Sequence, residues 1–564
     1  MKLKNILIGG LSLLALGTYT SCTDMMDTTS KLVMFSQDHQ LDEATDTVYS
    51  VMGIIGKMQA LADQTVLLGE IRGDLVELTQ KASVDLQELA QFNVSGKNAY
   101  RSATPYFAVI NNCNYYLANV DTSLKKRNEY VFMKEFAAVK TFRAWTYLQL
   151  AMTYGNVPFI TEPILTEAAA NKNYPMKSIK EICDYFIEDI KPYVNTPFPG
   201  YGAINVLDSK KFFLPTRVVL GDLCLWAERY QESAMYYHDY LTDENNPVTT
   251  GVGQIIWPNT TTSFNNYLNS YTSLFSNVGN TEIISYIPME STSSEKAYSQ
   301  LSNVFNSTIQ NNYFNQATPS ARLMELSKAQ SNCILFGVKD TLFAPVTNTE
   351  KPLLVGDLRL AGNYLVYNGL AGTNDGNSTT SNLYSTKRQT ISKYTTGHVV
   401  LYRRGQIYLR FAEAMNRAGY PEAAFAVLKY GLYPATINRY VNARERTEAG
   451  NLLNFSQYAF SYTNTLGIHA RGSGDPTINK YYKIEEKPNL NDSIDFVENM
   501  ICDEMALETS FEGGRFFDLV RMAIHKGNNE WLAKKIATRK GSANENATLK
   551  GLLLERSNWF LPLN

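Results

Sequence analysis

The chain has 564 residues, enough for two or more lobes or for one core with a large insertion, so buried area does not limit its stability. Its 52 Lys and Arg against 54 Asp and Glu exclude the dominant positive field that a nucleic-acid surface needs. With 36 Tyr and 26 Phe but 5 His, it is rich in flat side chains that stack and poor in the one most used for metals and proton transfer.

Residues 1–21 read as a secretory signal peptide: Lys2 and Lys4 precede an apolar run from Ile6 to about Leu16, too short to span a membrane well. Ser21-Cys22 resembles the end of a bacterial lipobox, with Tyr19 where such boxes more often carry Leu. It implies that Cys22 becomes the lipidated first residue of a tether over residues 22–41. The other cysteines, Cys113, Cys183, Cys224, Cys333 and Cys502, are odd in number, scattered and free of any Cys-x-x-Cys; they read as small buried apolar residues.

An N-terminal helical part is expected over residues 42–242. It opens with a helix from Asp42 to Ala62, the glycine-punctuated LLGEIRGDLVEL (Leu67 to Leu78) and a helix from Ala99 to Val120. KEFAAVKTFRAWTYLQLAMTYGNVPFI (Lys134 to Ile160) predicts a long helix, apolar nearly all round and therefore buried, that stops on Gly155 and Pro158. Ser178 and Glu181 form a capping box opening a helix to about Tyr193. The segment from Pro215, PTRVVLGDLCLWAERYQESAMYYHDYL, has the large-small alternation and short break of a tetratricopeptide-like hairpin.

From 243 to 397 the texture changes to Asn, Ser, Thr, Gly and Tyr, with β-like runs at Glu282 to Met289, Asn332 to Val338 and Asn363 to Gly369. This reads as a loop-rich, partly β insertion, the kind of surface on which binding residues sit. Residues 398–564 return to helices. A second hairpin runs from Gly405 to Leu432, with Ala412, Ala414 and Ala418 facing Ala423, Ala424 and Ala426 across Gly419; its distance from the first argues against a simple solenoid. The fold class expected is mainly α, a tetratricopeptide-like hairpin scaffold carrying the 243–397 insertion.

Several stretches together resemble the SusD/RagB family of Bacteroidetes nutrient-binding lipoproteins. They are Gly69-Glu70-Ile71-Arg72-Gly73-Asp74, Arg143-Ala144-Trp145 with the turn Tyr154 to Pro158, Ala412-Glu413-Ala414, and DEMALETSFEGGRFFDLVRM from Asp503 to Met522. In the last, Glu504, Glu508, Glu512, Gly513, Arg515, Asp518, Leu519 and Arg521 hold the family's places. Cys502 and Asp503 stand where the family has arginines, and Phe516 or Phe517 where it has Trp. The C-terminal NWFLPLN is similar to the family's Leu-Pro ending. The resemblance implies a lipoprotein held in the outer membrane through Cys22 and facing outside. It would capture an oligosaccharide and pass it to a SusC-like TonB-dependent barrel, with no cofactor and no bond broken. A RagB-like peptide-uptake protein and a surface hydrolase are the alternatives.

Sugar recognition needs flat faces for C–H surfaces and planar polar groups for hydroxyls. Trp145 and Trp226 lie inside helix patterns and read as core, which leaves Trp257 in the loop-rich QIIWPN, with Tyr267, Tyr271 and Tyr298 as further platforms and Asn265, Asn266 and Arg322 as donors. By resemblance alone, Arg72 and Asp74 join them. No catalytic residue is assigned: there is no Gly-x-Ser-x-Gly elbow, Arg471 to Gly474 is no phosphate loop, and His469 has no nucleophile beside it. The paired carboxylates Glu508 and Glu512, and Arg515 with Asp518, sit at helical spacing among Phe511, Phe516 and Phe517 and read as buried ion pairs. No metal is assigned either; Asn374-Asp375-Gly376-Asn377 lacks the spaced carboxylates of a calcium loop and reads as a solvated turn.

Overall fold

The computed structural model describes residues 44–243, 274–290, 297–305, 316–330, 396–455, 467–473 and 482–563, with short pieces between 333 and 394. The protein is mainly helical. Helices α1 (Ala44–Met58) and α2 (Ala62–Glu70) are joined by a single 3-10 turn, so the glycine-punctuated stretch begins inside a helix and leaves it only at Ile71. Strand β1 (Val76–Leu78) and helix α3 (Val84–Gln91), capped by the Ser83 hydroxyl, follow.

Then comes the scaffold. Helix α4 (Thr104–Asn119) packs on α5 (Met133–Tyr154), the long helix expected from the sequence. Sixteen of the 22 residues of α5 are buried, which is why it shows no single apolar stripe. It ends where Gly155 takes φ +77° and returns its N–H to the Ala151 carbonyl at 2.8 Å. The chain then makes a short antiparallel pair, β2 (Val157–Pro158) with β3 (Met176–Lys177). Helix α6 (Ile179–Ile190) opens with the Ser178–Glu181 capping box.

The first tetratricopeptide-like hairpin is α7 (Thr216–Trp226) with α8 (Tyr230–Thr242), and the second is α10 (Arg404–Arg417) with α11 (Pro421–Lys429); α9 is Ala321–Lys328 in the intervening segment. Each helix packs on the next in order, α5 on α6, α6 on α7, α7 on α8, and α8 packs directly on α10. Separation in sequence is therefore not separation in space: the second hairpin continues the stack of the first. Asp222 of α7 fastens them, accepting from Tyr237 of α8 at 2.5 Å, from Tyr402 at 2.6 Å and from Arg410 of α10 at 2.7 and 2.8 Å.

Parts of the 243–397 stretch are sewn into this core. Strand β4 (Ile283–Ile287), buried throughout, pairs antiparallel with Val399–Arg403, and Ala317–Pro319 pairs antiparallel with β1. The other two β-like runs also contain strands, Cys333–Leu335 and Tyr364–Val366. Helix α12 (Leu490–Glu508) lies across α10 and α11, and α13 (Arg515–Lys526), α14 (Asn529–Ala537) and α15 (Ala547–Leu553) close the chain. Cys113, Cys183, Cys224 and Cys502 are free and buried, and no helix among the described residues is long and apolar enough to cross a membrane.

Candidate functional site

From Glu504 to Arg521 the charged residues of the C-terminal signature are spent inside the protein, while Asp503 at its start is half-exposed beside Lys535. Glu504 accepts from Arg359 at 2.7 Å and from His469 at 2.9 Å; the His469 ring stacks on Tyr482 with centroids 3.8 Å apart. Glu508 is met by Arg403 at 2.7 Å, Arg471 at 2.5 Å and Arg359 at 3.1 Å, and Glu512 by Arg403 at 2.7 Å and by Lys393. Arg521 takes both oxygens of Glu413, at 2.8 and 2.6 Å, and one of Asp518 at 2.8 Å. Glu282 and Asp357 complete the network from the middle of the chain. The two pairings expected from helical spacing, Glu508 with Glu512 and Arg515 with Asp518, are not realised; for the first, α12 stops at Glu508 and Thr509 to Gly514 form a turn before α13. Glu508 and Glu512 meet instead through Arg403, while Arg515 and Asp518 face different partners.

The guanidinium groups hold Glu282, Glu504 and Glu508 in their charged form despite burial. Glu282 and Glu504 are brought down to about 2, chiefly by Arg471 and Arg403 in the first case and by Arg359 and His469 in the second; Glu508 lies lower still. A carboxyl depressed on folding contributes stability that is fully present above its unfolded value of 4.5 and is lost as pH falls toward its folded value, on the order of 3 kcal/mol each for Glu282 and Glu504. Glu70 has the opposite sign: burial raises it to about 7, so its contribution falls as pH rises from 4.5 to 7. Thermal unfolding across a pH series should therefore show a steep loss of stability below 4.5 and a shallow one above it. A curve flat from pH 5 down to pH 3 would contradict the network.

The early Gly-Glu-Ile-Arg-Gly-Asp segment clasps the same signature. The Glu70 carboxylate accepts the N–H groups of Phe511 and Gly513 at 3.1 and 2.8 Å, and Asp74 takes Arg515 in a two-pronged pair at 2.6 and 2.9 Å. Arg72 donates to the Leu68 and Trp559 carbonyls at 2.8 and 3.0 Å and lies over the Phe516 ring at 4.3 Å. Two stretches more than 400 residues apart thus form one buried unit.

These positions bear on the residues expected to touch a ligand. Arg72 and Asp74 are each 1 % exposed and engaged inside this clasp, so the structure gives them a fastening role and no surface. Arg322, on α9, is half-buried and reaches Ser542 Oγ at 3.2 Å; Tyr298 is half-buried and bridges Glu290 through its backbone. Trp257, Tyr267, Tyr271, Asn265 and Asn266 lie outside the described residues, as do Cys22 and the Asn374 to Asn377 turn. Trp145 and Trp226, read as core, are 3 % and 6 % exposed. Among the described residues no cluster of His, Cys, Asp and Glu is arranged to hold a metal ion.

Among the openings that the described residues leave are two grooves that meet at Phe92 and Asn93. The first, about 760 Å³, runs between β1 and α3 on one side and the α14–α15 region on the other, lined among others by Glu77, Gln87, Gln91, Arg539 and Lys540. The second, about 1080 Å³, continues past Tyr154 and Asn156 to Trp226 and the C-terminal Phe560. Phe92 caps α3 in the left-handed region at φ +56°, a costly conformation for a bulky side chain, with its ring 5.4 Å from Phe516. Planar amides beside an aromatic face in a groove of this size suit a polar ligand with flat C–H surfaces. Sequence reasoning missed this site. Gln87 and Gln91, four apart on an amphipathic helix that ends in an aromatic residue, carry a visible signal; Arg539, just past a helix end, looks like an ordinary basic C-terminal residue.

Comparison with known proteins gives a consistent result. The model of the SusD family matches residues 362–551. A SusD superfamily protein from Bacteroides vulgatus ATCC 8482 superposes with a TM-score of 0.56 at 13% identity, covering 91% of this chain and 92% of its own. A SusD-like protein from Bacteroides fragilis NCTC 9343 does so at 0.57 and 16%, covering 86% and 88%. A SusD-like carbohydrate binding protein from Bacteroides vulgatus ATCC 8482 gives 0.52 and 16%, covering 85% and 83%. No curated protein matches the chain.

Proposed function

We propose that this chain, which matches the SusD family over residues 362–551 and has the SusD superfamily fold, is a cell-surface glycan-binding lipoprotein. In this reading Cys22 carries the lipid that holds it in the outer membrane. The protein captures an oligosaccharide outside the cell and hands it to a SusC-like TonB-dependent transporter, for which it serves as a lid. The observation that carries the proposal is the SusD-type fold across nearly the whole chain, shared with a protein described as carbohydrate binding.

The site geometry supports capture without chemistry. Two carboxyl groups facing each other across an open cleft are what glycoside hydrolysis asks for. Here Glu504 and Glu508 are 2 % and 0 % exposed, and together with Glu512 they are neutralised by arginines and a lysine. Binding energy then comes from stacking and from hydrogen bonds in grooves, and release needs no covalent step.

The test is electrophoresis of the purified protein, without its lipid, through native gels cast with different glycans, beside a reducing-end assay on the same mixtures. Retardation by at least one glycan with no new reducing ends is expected. Unchanged mobility in every neutral and acidic glycan, or liberated reducing ends, overturns the proposal.

A further inference from the structure

The groove beside α3 contains a cation that no described carboxylate meets at ion-pair distance. Arg539 is 9 % exposed, and among the described residues its only side-chain hydrogen bond is from Nε to the Gly73 carbonyl at 2.8 Å, while the buried Nη2 has no partner there. It forms no ion pair with any described residue. The contrast with its neighbours is sharp: Arg359, Arg403, Arg471, Arg515 and Arg521 are as deeply buried, and each meets one or more carboxylates. Arg72 also lacks one, but it is covered by the Phe516 and Phe517 rings and lines neither groove.

An unpaired charge held out of water is unfavourable unless something supplies the missing partner. Burial pulls the Arg539 pKa down to about 10, with Asp74 and Glu77 pulling it back, so the group stays charged at neutral pH. Around it the groove adds the exposed Lys540 as a second cation. Glu77, its one lining carboxylate, already has an oxygen committed to the Ala321 N–H at 2.8 Å. The Phe92 ring and the exposed amides of Gln87 and Gln91 stand nearby, and the trough continues past Phe92 into the second groove, as a chain of several rings requires.

We propose that this groove binds the anionic substituent of an acidic oligosaccharide, a carboxylate or a sulfate ester, with Arg539 as its ion-pair partner, Lys540 as the second cation and Phe92 against a sugar ring. The inference rests on the glycan-capture reading above and names its substrate class. A guanidinium suits it because it stays charged at neutral pH and gives a carboxylate or a sulfate a charge-assisted hydrogen bond.

Calorimetric titration of the full mature chain tests it with three probes: trigalacturonate, a sulfated carrageenan tetrasaccharide and neutral galactotriose. At least one anionic probe should bind about tenfold more tightly than the neutral one, and raised salt should narrow that gap. Which anionic probe binds identifies the substituent. Arg539→Gln should abolish the preference, and Arg539→Lys should keep part of it. Lys540→Ala, at an exposed position, should weaken the anionic probe about threefold; it carries the test should Arg539→Gln fail to fold. Neutral sugar bound as well as acidic, or a folded Arg539→Gln that keeps the preference, overturns the inference while leaving glycan capture standing. If all three sugars fail to bind and an Asp- and Glu-rich peptide binds through Arg539, both readings fall. Absence of binding to the three sugars and the peptide alike overturns the inference and leaves glycan capture to be decided by the gel series above.

Discussion

Glu508→Ala should lower stability by about 3–5 kcal/mol, enough to shift the urea midpoint well outside error or to prevent soluble folding. One carboxylate, with no accessible surface, is shared by Arg359, Arg403 and Arg471, so its removal leaves three guanidinium groups facing one another in the interior. Coulomb repulsion among them adds to the lost hydrogen bonds, and in low-dielectric surroundings neither is relieved by water. Glu508→Gln keeps the shape and removes the charge; it should fall between wild type and Glu508→Ala. The control is Glu485→Ala, whose carboxylate pairs with Lys487 in solvent at 2.7 Å and whose loss should leave the midpoint unmoved. If the two alanine variants unfold at the same urea concentration, the network is not what holds α12 to the middle of the chain.

That network explains which features were legible in the sequence. Helix existence was readable because it rests on local spacing: the all-round apolar run of α5, the Ser178–Glu181 box and the alanine faces of α10 and α11 each point to one structure. The family signature was readable as a string, and its interleaving with phenylalanine suggested burial. Its partners were not readable. Arg359 and Asp357 come from a stretch whose composition resembles ordinary loop, and Asp74 lies 441 residues from Arg515. No local pattern encodes such a distance. For the same reason the packing of the two hairpins on each other was not readable, since Asp222, Tyr402 and Arg410 draw them together across the insertion. The grooves were least legible. A binding surface is assembled from exposed residues that packing leaves unconstrained, and Arg539 stands out only when the partners of the other buried arginines have been placed.

Gly69→Ala should be strongly damaging, although helix propensity alone argues the other way. Alanine inside a helix normally gains about 1 kcal/mol over glycine. At Gly69, in α2, the added Cβ would sit 1.7 Å from the Gly513 carbonyl oxygen and 2.6 Å from its carbon. Both are backbone atoms, so no rotamer change relieves the overlap. Gly513 is constrained in turn: φ is +94°, and a Cβ there would fall 2.3 Å from the Thr65 carbonyl oxygen. The next residue, Glu70, binds the N–H groups of Phe511 and Gly513, so separating the backbones also breaks those bonds and strains the Asp74–Arg515 pair. The expected loss exceeds about 4 kcal/mol, the range in which a named steric mechanism is required. The matched control is Gly53→Ala in α1, where a Cβ meets nothing within 4 Å and a gain of up to about 1 kcal/mol is expected. Opposite signs for the same chemical change at two helical glycines would isolate the close approach of α2 to the Thr509 to Gly514 turn as the cause. A stable, soluble Gly69→Ala protein would show that α2 and this turn are not in contact.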